Sequence, residues 1–139
     1  DNNIKIILPL HPRTTKLLQT NLSSVVYKRL NSSKQLFLIP PVSFLEMILL
    51  EKNAKIIMTD SGGVQKEAYF FQKPCVILRP ETEWVEIVEQ NAGIIADADC
   101  DRIKKSYREL LNKKITYLPV FGKGQAAEYI VEKIIDYFT

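Results

Sequence analysis

The sequence predicts an α/β fold in which a Rossmann-like, doubly wound parallel sheet is covered by helices. Short apolar runs of strand length alternate with segments whose apolar residues recur at helical spacing, and this alternation repeats about five times. No Asn-Gly or similar hairpin turn joins neighbouring strands, so they are expected to run parallel. With 139 residues, of which 46% are apolar, the chain can form one domain with a core, and residues 1–139 are expected to be that domain.

The first part of the chain predicts two strands and two helices. Residues 5–10 are an apolar run interrupted only by Pro9, and residues 11–14 are expected to form a turn. Apolar spacing from there to about Leu30 predicts one long helix. The second strand, 35–39, ends at two prolines and precedes a short amphipathic helix, 43–50. The residues of the long helix expected to face inward are Leu17, Leu18, Leu22, Val25, Val26 and Leu30.

The second part continues the alternation. The short β-branched run 56–58 predicts a strand that ends near Thr59, and a helix follows from Val64 until Pro74 closes it. Residues 60–63 are therefore expected to form the turn between them. The remaining expected elements are strands 75–78 and 93–96 and helices 85–89, 101–111 and 125–138.

Charge and composition argue against a nucleic-acid-binding, a membrane-spanning or a metal-binding protein. The formal net charge of +3 is mild and the basic residues are dispersed among acidic ones, which favours solvated helix faces over a nucleic-acid surface. No run of 18 apolar residues predicts a membrane span. The two cysteines, Cys75 and Cys100, lie far apart, which favours a reducing cytoplasm and no metal site, and Cys75 in its apolar strand is expected to be a packed thiol. Because the chain begins with Asp1, we expect it to be a piece of a longer protein.

The turn Ser61-Gly62-Gly63 is the strongest candidate for a binding site. A strand, a Ser-Gly-Gly turn and a helix place unpaired N–H groups at the positive end of a helix dipole, which suits a phosphate. The glycines let an anion approach the backbone, and the serine hydroxyl adds a donor. Glu67, one turn further, could accept hydrogen bonds from ribose hydroxyls. The alternative is that Ser61 is only a helix N-cap.

Other polar residues are expected at the same edge of the sheet. His11 and Arg13 follow the first strand, and residues 79–83 follow the fourth. Because the carboxyl ends of parallel strands meet at one edge, where ligands of such sheets bind, these residues are expected to join the Ser-Gly-Gly turn.

Several of these segments carry a family resemblance. Thr59-Asp60-Ser61-Gly62-Gly63-Val64-Gln65-Lys66-Glu67-Ala68 is followed by Lys73-Pro74-Cys75-Val76 and by Leu78-Arg79-x-x-Thr82-Glu83. Together with His11-Pro12-Arg13, Phe44-Leu45 and Lys52-Asn53-Ala54-Lys55, they resemble the carboxyl-terminal half of the non-hydrolysing UDP-N-acetylglucosamine 2-epimerase family. The similarity covers nearly the whole chain.

The resemblance implies a two-domain enzyme of glycosyltransferase-B-like fold, of which this chain would be the UDP-binding carboxyl-terminal domain. Such enzymes invert C2 of a UDP-2-acetamido sugar by eliminating UDP and adding it back. The product of this enzyme is expected to serve surface polysaccharide synthesis. The reaction needs no cofactor, metal or nicotinamide. Its proton-moving carboxylates lie mostly in the other domain, so the fragment alone is expected to be inactive. The implied partners are the UDP-sugar, the missing amino-terminal domain and a second subunit of a homodimer, with neither nucleic acid nor membrane.

The resemblance also assigns roles to residues. His11 would be the catalytic residue, adding charge or hydrogen bonds to the leaving diphosphate. Arg13 could instead be a surface residue, Phe44 a core residue, and Thr82 a cap of the following helix. The substrate-binding residues would be Ser61, Gly62, Gly63 and Arg79 at the diphosphate, Glu67 at the ribose, Phe44 beside the uracil, and Arg13.

Two positions depart from the commonest family pattern. Trp84-Val85-Glu86 replaces Arg-Pro-Glu, and Lys66 stands where an acidic residue is frequent. The sequence Glu81-Thr82-Glu83-Trp84-Val85-Glu86 resembles that of the subgroup that acts on UDP-2,3-diacetamido-2,3-dideoxyglucuronic acid. In such an enzyme Trp84 would help to shape the sugar pocket. Alternatively, Trp84 is packed core.

Other functions compete with this interpretation. A glycosyltransferase of similar fold would share the phosphate turn but would need an acceptor site, and the paired Ser-Gly-Gly and Thr-Glu elements argue against it. A non-catalytic nucleotide-binding module is a further alternative. A signalling receiver domain would have acidic residues after strand one, where Pro9, Leu10 and His11 stand instead.

Overall fold

A computed structural model describes residues 4–138, and Asp1 lies outside them. The chain divides into two compact units, residues 1–49 and 50–139. The strands are β1 (Ile6–Pro9), β2 (Leu36–Ile39), β3 (Ile57–Thr59), β4 (Cys75–Ile77) and β5 (Gly93–Ile95). The helices are α1 (Pro12–Asn21), α2 (Ser24–Ser32), α3 (Phe44–Asn53), α4 (Gly62–Phe70), α5 (Val85–Glu89), α6 (Cys100–Leu111) and α7 (Ala126–Phe138).

The strands pair in parallel, which confirms the predicted α/β fold. In the first unit β1 lies beside β2, with Ile6 opposite Leu36. In the second unit β4 is the central strand of three, with β3 and β5 on either side. The expectation of one domain over residues 1–139 stays a prediction. Across residues 4–138, no helix combines the length and apolar character needed to cross a membrane.

The long helix predicted for residues 14–30 is wrong, because the structure has two helices there. Leu22 is extended, with φ −88° and ψ 142°, and the Ser23 hydroxyl accepts a hydrogen bond from the N–H of Val26. A serine at this position starts a new helix by satisfying one of its free N–H groups. The first helix also starts earlier than expected, at Pro12, because proline is well suited to the first helical position. The turn expected at 11–14 is therefore mostly helical.

The helices of the first unit do not bury the apolar residues expected to face inward. Neither α1 nor α2 has a buried residue, and Val25 is 75% exposed. A two-stranded sheet presents too little surface to cover two helices. The buried hydrophobic residue of this unit, among those described, is Leu10, which directly follows β1.

The core of the second unit surrounds β4, whose three residues are all buried. Because successive side chains of a strand point to opposite faces, Cys75 and Ile77 pack with Ala68 of α4, while Val76 packs with Leu110 of α6. Helices thus cover both faces of this sheet, as expected for a doubly wound fold. Cys75 is a packed thiol as predicted, and burial raises its pKa to about 12.

We expect Ile77→Ala to lower the free energy of unfolding by about 2–5 kcal/mol, because it empties a fully buried site in the central strand. The matched control is Ile130→Ala on α7, where the side chain is 55% exposed and the expected change is within about 0.5 kcal/mol. Urea denaturation measures both. Equal losses in the two variants would contradict the assignment of β4 as the core strand.

Candidate functional site

The site is built around the start of α4, which follows β3 after two residues. Ser61 is the N-cap of this helix, and its hydroxyl accepts a hydrogen bond from the N–H of Val64 at 3.5 Å. The hydroxyl of Thr59 in turn accepts from the N–H of Ser61 at 3.0 Å. Gly62 and Gly63 were expected in the connecting turn. They instead form the first turn of the helix.

This helix start has the properties of an anion site. The N–H groups of a first turn have no acceptor within the helix, and they lie at the positive end of its dipole. No acidic residue belongs to the first turn of α4, and the one carboxylate shown against Gly62, that of Glu83, is paired with Arg79. Ser61 is exposed, and because its oxygen accepts from Val64, its O–H remains able to donate to a ligand. The N-cap role and a binding role of Ser61 are therefore compatible.

The segment that follows β4 packs directly on Gly62. The indole N–H of Trp84 donates to the carbonyl oxygen of Gly62 at 2.8 Å. A Cβ atom added at Gly62 would overlap the carboxylate of Glu83, so only glycine fits there without displacing that side chain. Residues 83 and 84 therefore lie directly against Gly62, and a larger residue there would require the exposed Glu83 side chain to move.

Glu83 also connects the helix start to Arg79. The Nη1 atom of Arg79 donates to Glu83 Oε2 at 3.0 Å, and both side chains are partly exposed. Such an exposed ion pair adds little to stability. It does bring the guanidinium to the first turn of α4, where the predicted residues Ser61, Gly62 and Gly63 lie.

Gln65 and Thr82 form a contact that the sequence alone did not predict. Gln65 is fully buried, and the Thr82 hydroxyl donates to its Oε1 atom at 2.6 Å. The same hydroxyl accepts from the N–H of Trp84 at 3.1 Å. The expected cap role of Thr82 is wrong, because the N-cap of α5 is Trp84, which makes no side-chain cap bond. The sequence signal for this contact was Gln65 itself, because it shares a helix face with the apolar residue Ala68 and a buried amide needs a hydrogen-bond partner.

The two departures from the family pattern contact each other. The ammonium of Lys66 lies 4.3 Å from the centroid of the Trp84 ring and 5.0 Å from that of Phe121. The Trp84 and Phe121 rings meet edge to face at 5.6 Å. Lys66 and Trp84 thus stabilise each other, and the packing favours a structural role for Trp84.

Glu67 lies one turn beyond the glycines of α4 and is half-buried. Its charge acts on a second carboxylate, that of Glu51 on α3, which is buried. Glu51 could not be singled out from the sequence, because a glutamate near a helix end is usually solvated.

The predicted residues of the first unit are exposed. His11 is the N-cap of α1, and its Nδ1 atom accepts from the N–H of Arg13 at 3.3 Å. In a neutral imidazole the proton is then on Nε2, which leaves a donor for a ligand. Phe44 begins α3 and is 69% exposed, so the alternative that it is core is wrong. The binding roles of His11, Arg13 and Phe44 stay predictions.

Within residues 4–138, no group of three or more His, Cys, Asp or Glu side chains is arranged to hold a metal ion.

Comparison with known proteins gives a consistent result. The family described as UDP-N-acetylglucosamine 2-epimerase matches residues 1–135. A UDP-N-acetylglucosamine 2-epimerase of Methanocaldococcus jannaschii is 43% identical over 95% of this chain. A UDP-2,3-diacetamido-2,3-dideoxy-D-glucuronate 2-epimerase of Pseudomonas aeruginosa is 42% identical over 94% of it. The chain spans about 35% of the length of each of these relatives.

A solved structure supports the same relationship. The crystal structure of the M. jannaschii UDP-GlcNAc 2-epimerase in complex with UDP-GlcNAc and UDP superposes with a TM-score of 0.83. It is 41% identical over 96% of this chain, which covers 36% of that structure.

We expect Thr82→Val to lower the free energy of unfolding by about 1–3 kcal/mol, because it leaves the buried Oε1 of Gln65 without its donor. Thr82→Ser keeps the hydroxyl and is the matched control, with an expected loss of less than about 1 kcal/mol. Chemical denaturation measures both. The interpretation fails if valine is tolerated as well as serine.

Proposed function

The chain belongs to the UDP-N-acetylglucosamine 2-epimerase family, and we propose that it is the UDP-binding part of an enzyme that inverts C2 of a UDP-2-acetamido sugar. The observation that carries the proposal is the Ser-Gly-Gly start of α4 with Arg79 brought to it by Glu83. This arrangement combines helix N–H groups, a hydroxyl and a guanidinium, which are the donors that a diphosphate requires.

The proposed reaction proceeds by elimination and addition. A base removes the proton from C2, the bond between C1 and the diphosphate oxygen breaks, and the sugar becomes a glycal. UDP then adds back to C1 while a proton is delivered to the other face of C2. Negative charge develops on the leaving diphosphate, so donors fixed at that group lower the barrier.

In this proposal the residues of this chain hold the leaving group. The hydroxyl of Ser61 and the N–H groups of Gly62 and Gly63 bind the diphosphate at the start of α4. Arg79 uses only Nη1 for Glu83, which leaves its other N–H groups to donate to a phosphate oxygen. His11 would donate from Nε2 to the same diphosphate and so assist its departure.

The rest of the nucleotide has predicted partners as well. Glu67 would accept from the ribose hydroxyls, Phe44 would border the uracil, and Arg13 would add positive charge near the phosphates. The carboxylates that move the C2 proton would come from a second domain of the enzyme, and two subunits would form a homodimer. The product would serve surface polysaccharide synthesis in the cytoplasm.

Two sugars are candidates for the substrate. One relative is named for UDP-N-acetylglucosamine and another for UDP-2,3-diacetamido-2,3-dideoxy-D-glucuronate, at nearly equal identity. The sequence around Trp84 resembles the subgroup that acts on the second sugar, while Trp84 itself packs against Lys66 and Phe121. Assaying an enzyme that contains this chain with each nucleotide sugar distinguishes them, because only the true substrate will be epimerised at C2.

The proposed site predicts the nucleotide preference of the chain. We expect calorimetry to show tighter binding of UDP than of UMP, because UMP lacks the second phosphate that the α4 turn would hold. Ser61→Ala and Arg79→Ala should each weaken UDP binding by about tenfold, while UMP binding changes less. The ratio of the two affinities therefore isolates the diphosphate contacts from effects on the rest of the nucleotide.

The matched control is Arg108→Ala, which removes the same charge from an exposed position on α6. It should leave both affinities unchanged. Thermal unfolding of each variant shows whether the fold is intact, since loss of the Ser61 cap is expected to cost about 1 kcal/mol. Unchanged UDP binding in both site variants would refute the assignment.

A further inference from the structure

The carboxylate of Glu83 lies where the proposed function places the anion of the ligand. A Cβ atom added at Gly62 would overlap the Oε1 atom of Glu83, so this oxygen lies directly against the first residue of α4. The Oε2 atom accepts from Arg79 Nη1 at 3.0 Å, and Oε1 is 3.4 Å from the same nitrogen. One side chain of the protein thus contacts both the helix start and the guanidinium that a diphosphate would use.

The start of α4 suits the negative charge of this side chain. The N–H groups of a first helical turn have no acceptor within the helix, and they lie at the positive end of its dipole. The guanidinium of Arg79 adds a full positive charge. A terminal phosphate carries about two negative charges at neutral pH, whereas a carboxylate carries one. A phosphate therefore gains more from the same surroundings than Glu83 does.

The Glu83 side chain is able to leave this position. The side chains of Arg79 and Glu83 are 34% and 48% exposed, and an ion pair with this exposure is weak because water and salt screen it. The backbone beside them is held separately, because the indole N–H of Trp84 donates to the carbonyl oxygen of Gly62 at 2.8 Å. Rotation of the Glu83 side chain alone would therefore vacate the helix start and leave the segment in place.

Two roles of Glu83 are compatible with the ion pair, and they have opposite effects on binding. If Glu83 only held Arg79 in place, loss of its charge would weaken the binding of a diphosphate. If Glu83 occupies the place of the diphosphate, loss of its charge would strengthen binding. The contact with Gly62 favours the second role, because a phosphate at the helix start and the Glu83 carboxylate cannot lie in the same place.

We propose that Glu83 is an internal competitor of the diphosphate: its carboxylate occupies the start of α4 until a ligand phosphate displaces it and takes its place beside Arg79. This inference rests on the proposed function, since it concerns the same site. A ligand without a phosphate at the helix start leaves the ion pair intact. Glu83 thus weakens the hold on the diphosphate, which favours release of the nucleotide sugar after turnover.

The test compares the affinities of the wild-type chain and of Glu83→Gln for UDP and UMP by calorimetry. Glutamine keeps the size of the side chain and an oxygen that can accept from Arg79, but it carries no charge. The affinity for UDP should rise about fivefold, because the competing charge is removed. The affinity for UMP should change less, because UMP lacks the second phosphate that displaces Glu83. The ratio of the two affinities should therefore rise.

Ionic strength distinguishes this competition from a merely structural role of Glu83. Salt screens the interaction between exposed charges, so the gain in UDP affinity should shrink from about 0.02 M to about 0.5 M salt. A structural role would change UDP and UMP alike and would not follow the salt concentration. The matched control is Glu81→Gln, which removes the same charge from an exposed position in the same segment and should leave the affinity ratio unchanged.

The outcomes separate this inference from the proposed function. Thermal unfolding of each variant shows that the fold is intact, as expected for a change at an exposed ion pair. If the wild-type chain binds UDP and Ser61→Ala weakens that binding, but Glu83→Gln leaves the UDP affinity unchanged or lowers it, the inference alone is overturned. An equal gain in Glu81→Gln would overturn it as well. If the wild-type chain does not bind UDP, the proposed function fails and the inference fails with it.

Discussion

Contact between the segment after β4 and the first turn of α4 is the constraint on which the candidate site depends. Two hydrogen bonds maintain it, from the indole of Trp84 to the Gly62 carbonyl and from Thr82 to the buried Gln65, while the N–H of Trp84 donates to Thr82 within the segment itself. A helix start is a weak anion site when nothing fixes what surrounds it. Here the neighbouring segment is fixed, and it carries the arginine. The order of the site therefore comes from partly buried bonds that hold the neighbouring segment against the helix.

Lys66 and Trp84 both depart from the common family pattern, and they contact each other. A lysine over an indole ring gains cation–π attraction, and the aliphatic part of its side chain covers apolar surface. Phe121 extends the cluster through edge contacts with Tyr69 and Phe70. The two unusual residues are thus one structural unit, and neither is informative about specificity when it is considered alone.

The spacing of apolar residues predicted most of the helices and strands, because the pattern that marks each of them lies within one short stretch of sequence. The break between α1 and α2 escaped this approach, since Ser23 interrupts an apolar pattern without disturbing its spacing. Residue chemistry singled out Ser61 and Arg79 as candidates, and their binding roles stay predictions. The Gln65 to Thr82 bond could not be predicted, because it joins residues 17 positions apart that only the folded chain brings together.

The two thiols of the chain differ in a way that has a practical consequence. Thiol-directed reagents react with the thiolate, and Cys75 is both enclosed and held in its protonated form. Cys100, the first residue of α6, is exposed. A fluorescent maleimide would accordingly label the native chain at a single defined position without any engineered substitution. The same reagent would gain a second target when the chain unfolds, so the stoichiometry of labelling counts opened molecules directly.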